Sequence, residues 1–286
     1  GGNYLKENKT WAKQTIAHNT LVQNQTSHFN GTYEIGSQHH SQLNFFDDSR
    51  ADIQIVSARE SNAYPGTQIN RTMAIIKPEK FATPLVLDIM KVESKNKNQY
   101  DLPLHFMGQV MKTNYEYATP ETLVPLGDAH GYQHLYLEGK GKPTTAMTQF
   151  NWLVKGKFYT MTTVTDTADE LLFARLGAND PEFNLRRDAA LILRRNDVDN
   201  TLFASVIEPH GSYTPISELS VNPNSNITGF KVVHDSEDYT AVRVEDNSGQ
   251  MSLLIIANSD VSAKKRHLLK IDGKKLRWQG PYYFVA

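Results

Sequence analysis

The runs TAMTQFNWLV (residues 145–154) and KFYTMTTVTD (residues 157–166) decide the fold. Both alternate apolar and polar side chains, and both are rich in threonine, valine and aromatic residues. A period of two sends successive side chains to opposite faces of an extended chain, and β-branched and aromatic residues suit a pleated, half-buried surface. Outward from this pair the same character recurs along nearly the whole chain: ADIQIVSARE (51–60), TQINRTMAII (67–76), TPLVLDIMKV (83–92), GYQHLYLEG (131–139), AALILRR (189–195), TLFASVIEP (201–209), GFKVVHD (229–235), YTAVRVED (239–246), MSLLIIANS (251–259), RHLLKID (266–272) and KLRWQGPYYFVA (275–286). Turn signals separate the runs at Pro65-Gly66, Asn247-Ser248-Gly249, Asp272-Gly273 and between Gly139 and Pro143. Helical periodicity is absent apart from a weak trace near 166–173. Antiparallel strands in this number must stack as sheets or roll up. The expected fold is all-β, a large antiparallel multi-sheet β-sandwich. Residues 1–286 read as a single domain, and the Pro-, Gly- and Lys-rich stretch 120–150 reads as a loop inside it.

Composition narrows the function classes. The 286 residues carry 30 Lys and Arg against 31 Asp and Glu, a net charge of −1, which argues against a general nucleic-acid binder. No cysteine is present, so disulfides and thiolate metal sites are excluded. No run of about 18 apolar residues exists to span a membrane. The start, GGNYLKENKT, reads as the cut end of a longer protein.

Three segments carry candidate chemistry. The first lies in KTWAKQTIAHNTLVQ (9–23), which alternates like a strand. There His18 and Asn19 fall on opposite faces, so one of them points into a packed partner or a cleft. The second is NFFDDSRADIQIVSARESNAYPG (44–66), with Asp47, Asp48, Arg50, Arg59 and Tyr64. Pro65-Gly66 after Tyr64 favours a type II turn, which sets the tyrosine at a sheet rim with its hydroxyl able to face a cleft. Arg71 in the next strand is expected close to Arg59 across the hairpin, a repulsive pair that hints at an anionic ligand between them. The third is NQYDLPLHFMGQ (98–109), with Tyr100, Asp101 and His105. His39-His40 is assigned to a loop, and His130 and His134 are read as structural. His210 has no defensible role. The polar run LGANDPEFNLRR is either a rim loop bringing Arg186 or Arg187 to a substrate or an ordinary Asn/Asp-rich turn.

Five stretches together resemble a known family: WAKQTIAHNTLV, the Tyr-Pro-Gly turn followed by RTMAII, QYDLPLHFMGQ, GYQHLYLEG, and ARLGANDPEFNLRRDAALILRR with SVIEPHG. They are similar to the C-terminal β-sandwich half of heparinase II/III-like polysaccharide lyases, and within these to the oligoalginate lyases of polysaccharide lyase family 17. The resemblance implies β-elimination at a uronate, exolytic, by an enzyme whose N-terminal α/α toroid precedes this half. It implies an acidic uronate oligosaccharide as substrate, the toroid of the same protein as partner and a bacterial periplasmic or secreted location, and it leaves a homodimer open. Tyr64 matches the β-domain tyrosine that protonates the leaving O4, and His18 the histidine of a His-Asn-Thr motif; both are the candidate catalytic residues. Asn19, Arg50, Arg59 and Arg71 are candidates for substrate. Relatives hold a divalent metal, usually zinc, and Asp47 matches its aspartate, with Asp48 the near alternative. His18 joins this set, with His28, His39 and His40 as spare donors. Asn98 stands where relatives carry a histidine ligand, and an amide oxygen is a poor partner for zinc. The competing expectations are a carbohydrate-binding or purely structural β-sandwich, and a glycosaminoglycan lyase acting on another uronate.

Overall fold

The computed structural model describes residues 5–286; Gly1–Tyr4, where the start was read as a cut end, lie outside the described residues. Three sheets stack in layers. A six-stranded antiparallel sheet runs in the order Val22–Gln23, Asn98–Phe106, Ala189–Val198, Glu170–Leu176, Leu135–Gly141, Tyr117–Ala118. It faces an eight-stranded antiparallel sheet ordered Gln42–Asp47, Ile53–Glu60, Thr67–Ile76, Leu85–Ser94, Thr201–His210, Lys157–Val164, Met147–Val154, Gln109–Thr113. A four-stranded sheet of Ile227–Asp235, Tyr239–Asp246, Met251–Ala257 and Tyr282–Val285 packs on the far side of the eight-stranded one.

The alternation read from the sequence builds these layers. In the eight-stranded sheet Met90, Phe150, Met161 and Phe203 point to the six-stranded sheet and meet Phe106, Leu171, Leu191 and Leu193. The intervening residues Ile55, Ala74, Leu87 and Val206 point the other way and meet Phe230, Val242 and Leu254. One sheet thus contributes to two cores, as a strand period of two allows when both faces are covered. The strands Gln42–Asp47 to Thr67–Ile76 overhang the six-stranded sheet, leaving Phe46, Val56, Met73 and Ile75 exposed.

Three stretches differ from the sequence reading. The segment 9–23 is not a strand. It makes a wide helical turn at Asn8–Ala12 and a 3₁₀ turn at Thr15–Ala17, and only Val22–Gln23 pairs, with Asp101 and Tyr100. Trp11 and Ile16 bury against Leu172, Ala174 and Ile192 on the outer face of the six-stranded sheet. Most of the segment therefore lies across a sheet face with no strand beside it, and its backbone donors bond locally, as in Gln14 N–H to Trp11 O and His18 N–H to Thr15 O. The weak helical trace near 166–173 is a turn followed by strand Glu170–Leu176, because Leu171 and Phe173 are needed in the inter-sheet core and Leu172 on the opposite face. The stretch 120–150, read as a loop, also holds strand Leu135–Gly141 and the first residues of Met147–Val154. No described helix is long and apolar enough to cross a membrane.

Candidate active site

Tyr64 sits at the first corner of the turn that the Pro-Gly pair announced. Gly66 takes φ +78°, and Thr67 N–H donates to Tyr64 O at 3.1 Å. That positive φ is why glycine is needed at this corner. The hydroxyl does not face open space. Tyr64 is 5% exposed, and its Oη donates to Thr26 O at 2.8 Å, beneath the segment Leu21–His28. Burial pushes the phenol well above its usual range, and the negative charge of Asp101 adds to the rise. The side chain is thus a held proton donor, and it can serve a substrate oxygen only when that oxygen takes the place of the Thr26 carbonyl.

The covering segment is strained. Within it Asn24 and Gln25 have φ of +50° and +53°, and just after it Phe29 and Asn30 have +54° and +53°. Non-glycine residues in this region cost on the order of 1 kcal/mol each and persist only where the surroundings dictate them. His28 is the member that touches Tyr64, with ring centroids 5.0 Å apart at 86°. Its Nε2–H donates to Leu21 O at 3.0 Å. Burial lowers its pKa, against the pull of the Leu21 bond, so the imidazole is neutral at neutral pH. Sequence reasoning offered His28 only as a spare metal donor. Its contact with Tyr64 joins residues 36 positions apart through an irregular loop, and no local pattern signals that.

His18 is exposed, and its Nε2–H donates to Ala12 O at 3.0 Å. Asn19 turns its side chain to the backbone: Oδ1 accepts from His105 N–H at 2.8 Å. Arg71 donates to Asn19 O at 2.7 Å and makes a two-pronged pair with Asp88 at 2.8 and 2.7 Å. Asn19, Arg71 and Asp88 form the rim of a cleft between the two large sheets, which holds about 810 Å³ of empty space, open solvent at its mouth included. Leu102, Pro103, Leu191 and Leu193 make its interior apolar.

The remaining candidates lie apart from this group. Arg59 is paired with Asn70, and Arg71 with Ala58, so the two arginines project to opposite faces and no repulsive pair forms between them. The hint of an anion between them is thereby withdrawn. Arg59 donates to Gln42 Oε1 instead. Arg50 is committed to Asp52 and to Phe284 O, and Asp47 to Ser49 N–H and Tyr282 Oη, all at the far end of the Gln42–Asp47 strand from Tyr64. Asn98 is buried in a web of neutral groups: Oδ1 accepts from Gln23 and Asn24, and Nδ2 donates to Ser94, Asn96 O and Tyr100. The three residues proposed for a metal, His18, Asp47 and Asn98, are therefore in three places. No group of three His, Asp or Glu that could hold an ion converges among the described residues. These residues do not fit a zinc centre.

The family profile described as "Heparinase II/III-like, C-terminal" matches residues 1–244. The chain belongs to that family. Among curated members of wider similarity, an "Alginate lyase" of Stenotrophomonas maltophilia (strain K279a) is 39% identical over 283 residues, 99% of this chain and 38% of that protein. An "Exo-oligoalginate lyase" of Saccharophagus degradans is 35% identical over 285 residues, 98% of this chain and 38% of that protein. The heparinase II/III-like fold is also seen in a solved heparinase III at TM-score 0.56 and 11% identity, covering 90% of this chain and 32% of that one. The chain thus spans about two-fifths of the length of the curated relatives it matches.

Proposed function

We propose that this chain is the β-sheet half of a polysaccharide lyase that cleaves oligoalginate by β-elimination at a uronate, working from the chain end. The observation that carries the reading is the 39% and 35% identity, over nearly the whole chain, to proteins named alginate lyase and exo-oligoalginate lyase. The glycosaminoglycan alternative has less support, since the heparinase likenesses are 11–12% identical and speak to the fold alone. In the elimination, the C5 proton leaves to a base, the C4–O4 bond breaks as the C4–C5 double bond forms, and O4 takes a proton. Tyr64 is the acid: its phenol is protonated throughout the neutral range, so a proton is always at hand. His18, exposed next to Asn19 in the chain, meets the substrate carboxylate, and Asn19 and Arg71 hold the rim that the sugar approaches. The base and the opposite wall of the cleft come from an N-terminal toroid, the remainder of the relatives' length. When substrate binds, the residues around Thr26 move aside and Tyr64 Oη exchanges Thr26 O for O4. The protein acts in the periplasm or outside the cell.

The test is Tyr64→Phe in the full-length enzyme. It keeps the ring and removes the proton donor, so kcat is expected to fall by about a hundredfold or more with KM little changed. Near-normal kcat overturns the assignment.

A further inference from the structure

A polar pocket lies at the opposite edge of the eight-stranded sheet from the Tyr64 turn, where strands Gln109–Thr113 and Met147–Val154 meet the loop 222–226. Lys112, Asn114, Gln149, Asn151, Asn224 and Ser225 bound about 480 Å³ of empty space, open solvent at the mouth included. The pocket exists because the four-stranded sheet stops short. Gln149 still bonds Ile227 O on its first strand, at 3.1 Å. The next outward pair is Asn151 and Thr160.

The walls are built rather than incidental. Asn151 is 7% exposed, and its Nδ2 donates to Thr160 Oγ1 at 2.8 Å and Pro223 O at 3.3 Å. Its Oδ1 accepts from no donor among the described residues. Behind it, buried His210 bridges Thr160 Oγ1 and Asn222 O, and buried Glu208 accepts from Ser225 Oγ and Asn226 N–H. These two residues pin the loop that forms the far wall. Lys112 stands directly opposite Asn151 in the register and has no ion-pair partner among the described residues. No carboxylate lines the space.

One unpaired ammonium among amides and hydroxyls specifies a ligand with a single negative charge and several hydroxyls. Amides set a donor and an acceptor side by side, which suits neighbouring ring hydroxyls, and lysine is a point charge for a carboxylate. A divalent cation would need carboxylates. A phosphate would call for more positive charge or a cradle of backbone N–H groups. We propose that this pocket is a second saccharide site, separate from the Tyr64 region, that takes one carboxylated sugar unit with Lys112 on the carboxylate and Asn151 Oδ1 on a hydroxyl. It rests on the lyase reading only for the identity of the sugar. There it anchors the acidic chain while the scissile bond lies elsewhere.

The probe is methyl mannopyranosiduronate, which has no glycosidic bond at O4 to eliminate, titrated into the full-length protein by calorimetry beside the neutral methyl mannopyranoside. Lys112→Ala is expected to weaken uronoside uptake about tenfold, the loss of one charge-assisted contact, while Lys112→Arg keeps it. The neutral glycoside is expected to bind wild type and Lys112→Ala alike. Equal uronoside affinity in wild type and Lys112→Ala overturns the pocket and leaves the lyase reading untouched. Normal turnover in Tyr64→Phe with weakened uptake in Lys112→Ala does the reverse.

Discussion

Tyr64 and Asn98 show how differently two residues of one motif string can be used. Tyr64 is a phenol kept protonated by burial, and its ionisation is therefore postponed. In an alkaline ultraviolet titration, Tyr64→Phe is expected to remove absorbance change only above the ordinary phenol range of about pH 10, leaving the earlier phase unchanged. Loss of amplitude in the early phase would show the hydroxyl to be in water. Asn98 is a hub of amide and hydroxyl bonds, not a vacant ligand. Asn98→His is expected to cost about 1–3 kcal/mol in urea unfolding, because Gln23 and Asn24 lose their buried acceptor. It is also expected to bind no stoichiometric zinc after dialysis by elemental analysis, since neither His18 nor Asp47 lies beside it. The turn at Tyr64 was legible because Pro-Gly fixes local backbone angles. The web around Asn98 was not, because the two donors to its Oδ1, Gln23 and Asn24, come from about 75 positions earlier.

At the scale of elements, the strand Asn98–Phe106 does structural work that its sequence disguised as chemistry. Asp101 is fully buried and pairs across to Arg194 at 2.7 and 2.8 Å, while Tyr132 Oη donates to it at 2.6 Å. The three groups tie two strands of the six-stranded sheet to the turn before a third. Asp101→Ala strands a buried guanidinium, and the expected loss is about 3–5 kcal/mol by urea denaturation. Replacing both charges by apolar residues of similar volume is expected to recover most of it. His105 in the same strand bonds Ile16 O at 2.7 Å and holds the N-terminal segment down. After this strand, Gly108 takes φ +99° so close to Leu153 O that any Cβ would collide. Gly108→Ala is expected to displace the edge strand that carries Lys112.

For the whole molecule, four histidines share one electrostatic condition. Burial lowers the pKa of His28, His105, His134 and His267. Between the lowered values and the ordinary value of about 6.5, the unfolded chain binds more protons than the folded one. Stability from these groups is therefore complete above that range and declines as pH falls through it. The urea midpoint is expected to be lower at about pH 5.5 than at about pH 7.5, and a midpoint that holds steady or rises on acidification would contradict it. On the proposed division of acid and base between two halves, the 286-residue chain alone is expected to give no unsaturated-uronate absorbance with oligoalginate. Turnover by a rigorously purified chain would place the base among these residues.

The sequence by itself determined the local geometry: the period of two in most of the runs, the turns between them, the type II corner under Tyr64, and hence an all-β sandwich. Covalent geometry and side-chain shape act within a few residues, so such features survive without knowledge of the rest of the chain. Tertiary structure alone decided which side chains meet. It sent Arg59 and Arg71 to opposite faces by register, laid the Trp11–Ile16 segment on a sheet face instead of beside a strand, and folded Leu21–His28 over the Tyr64 hydroxyl. It also assembled a pocket from Lys112, Asn151 and Asn224. Those neighbours are set by strand pairing and sheet stacking between residues tens to hundreds of positions apart, where a shift of one residue reverses every face.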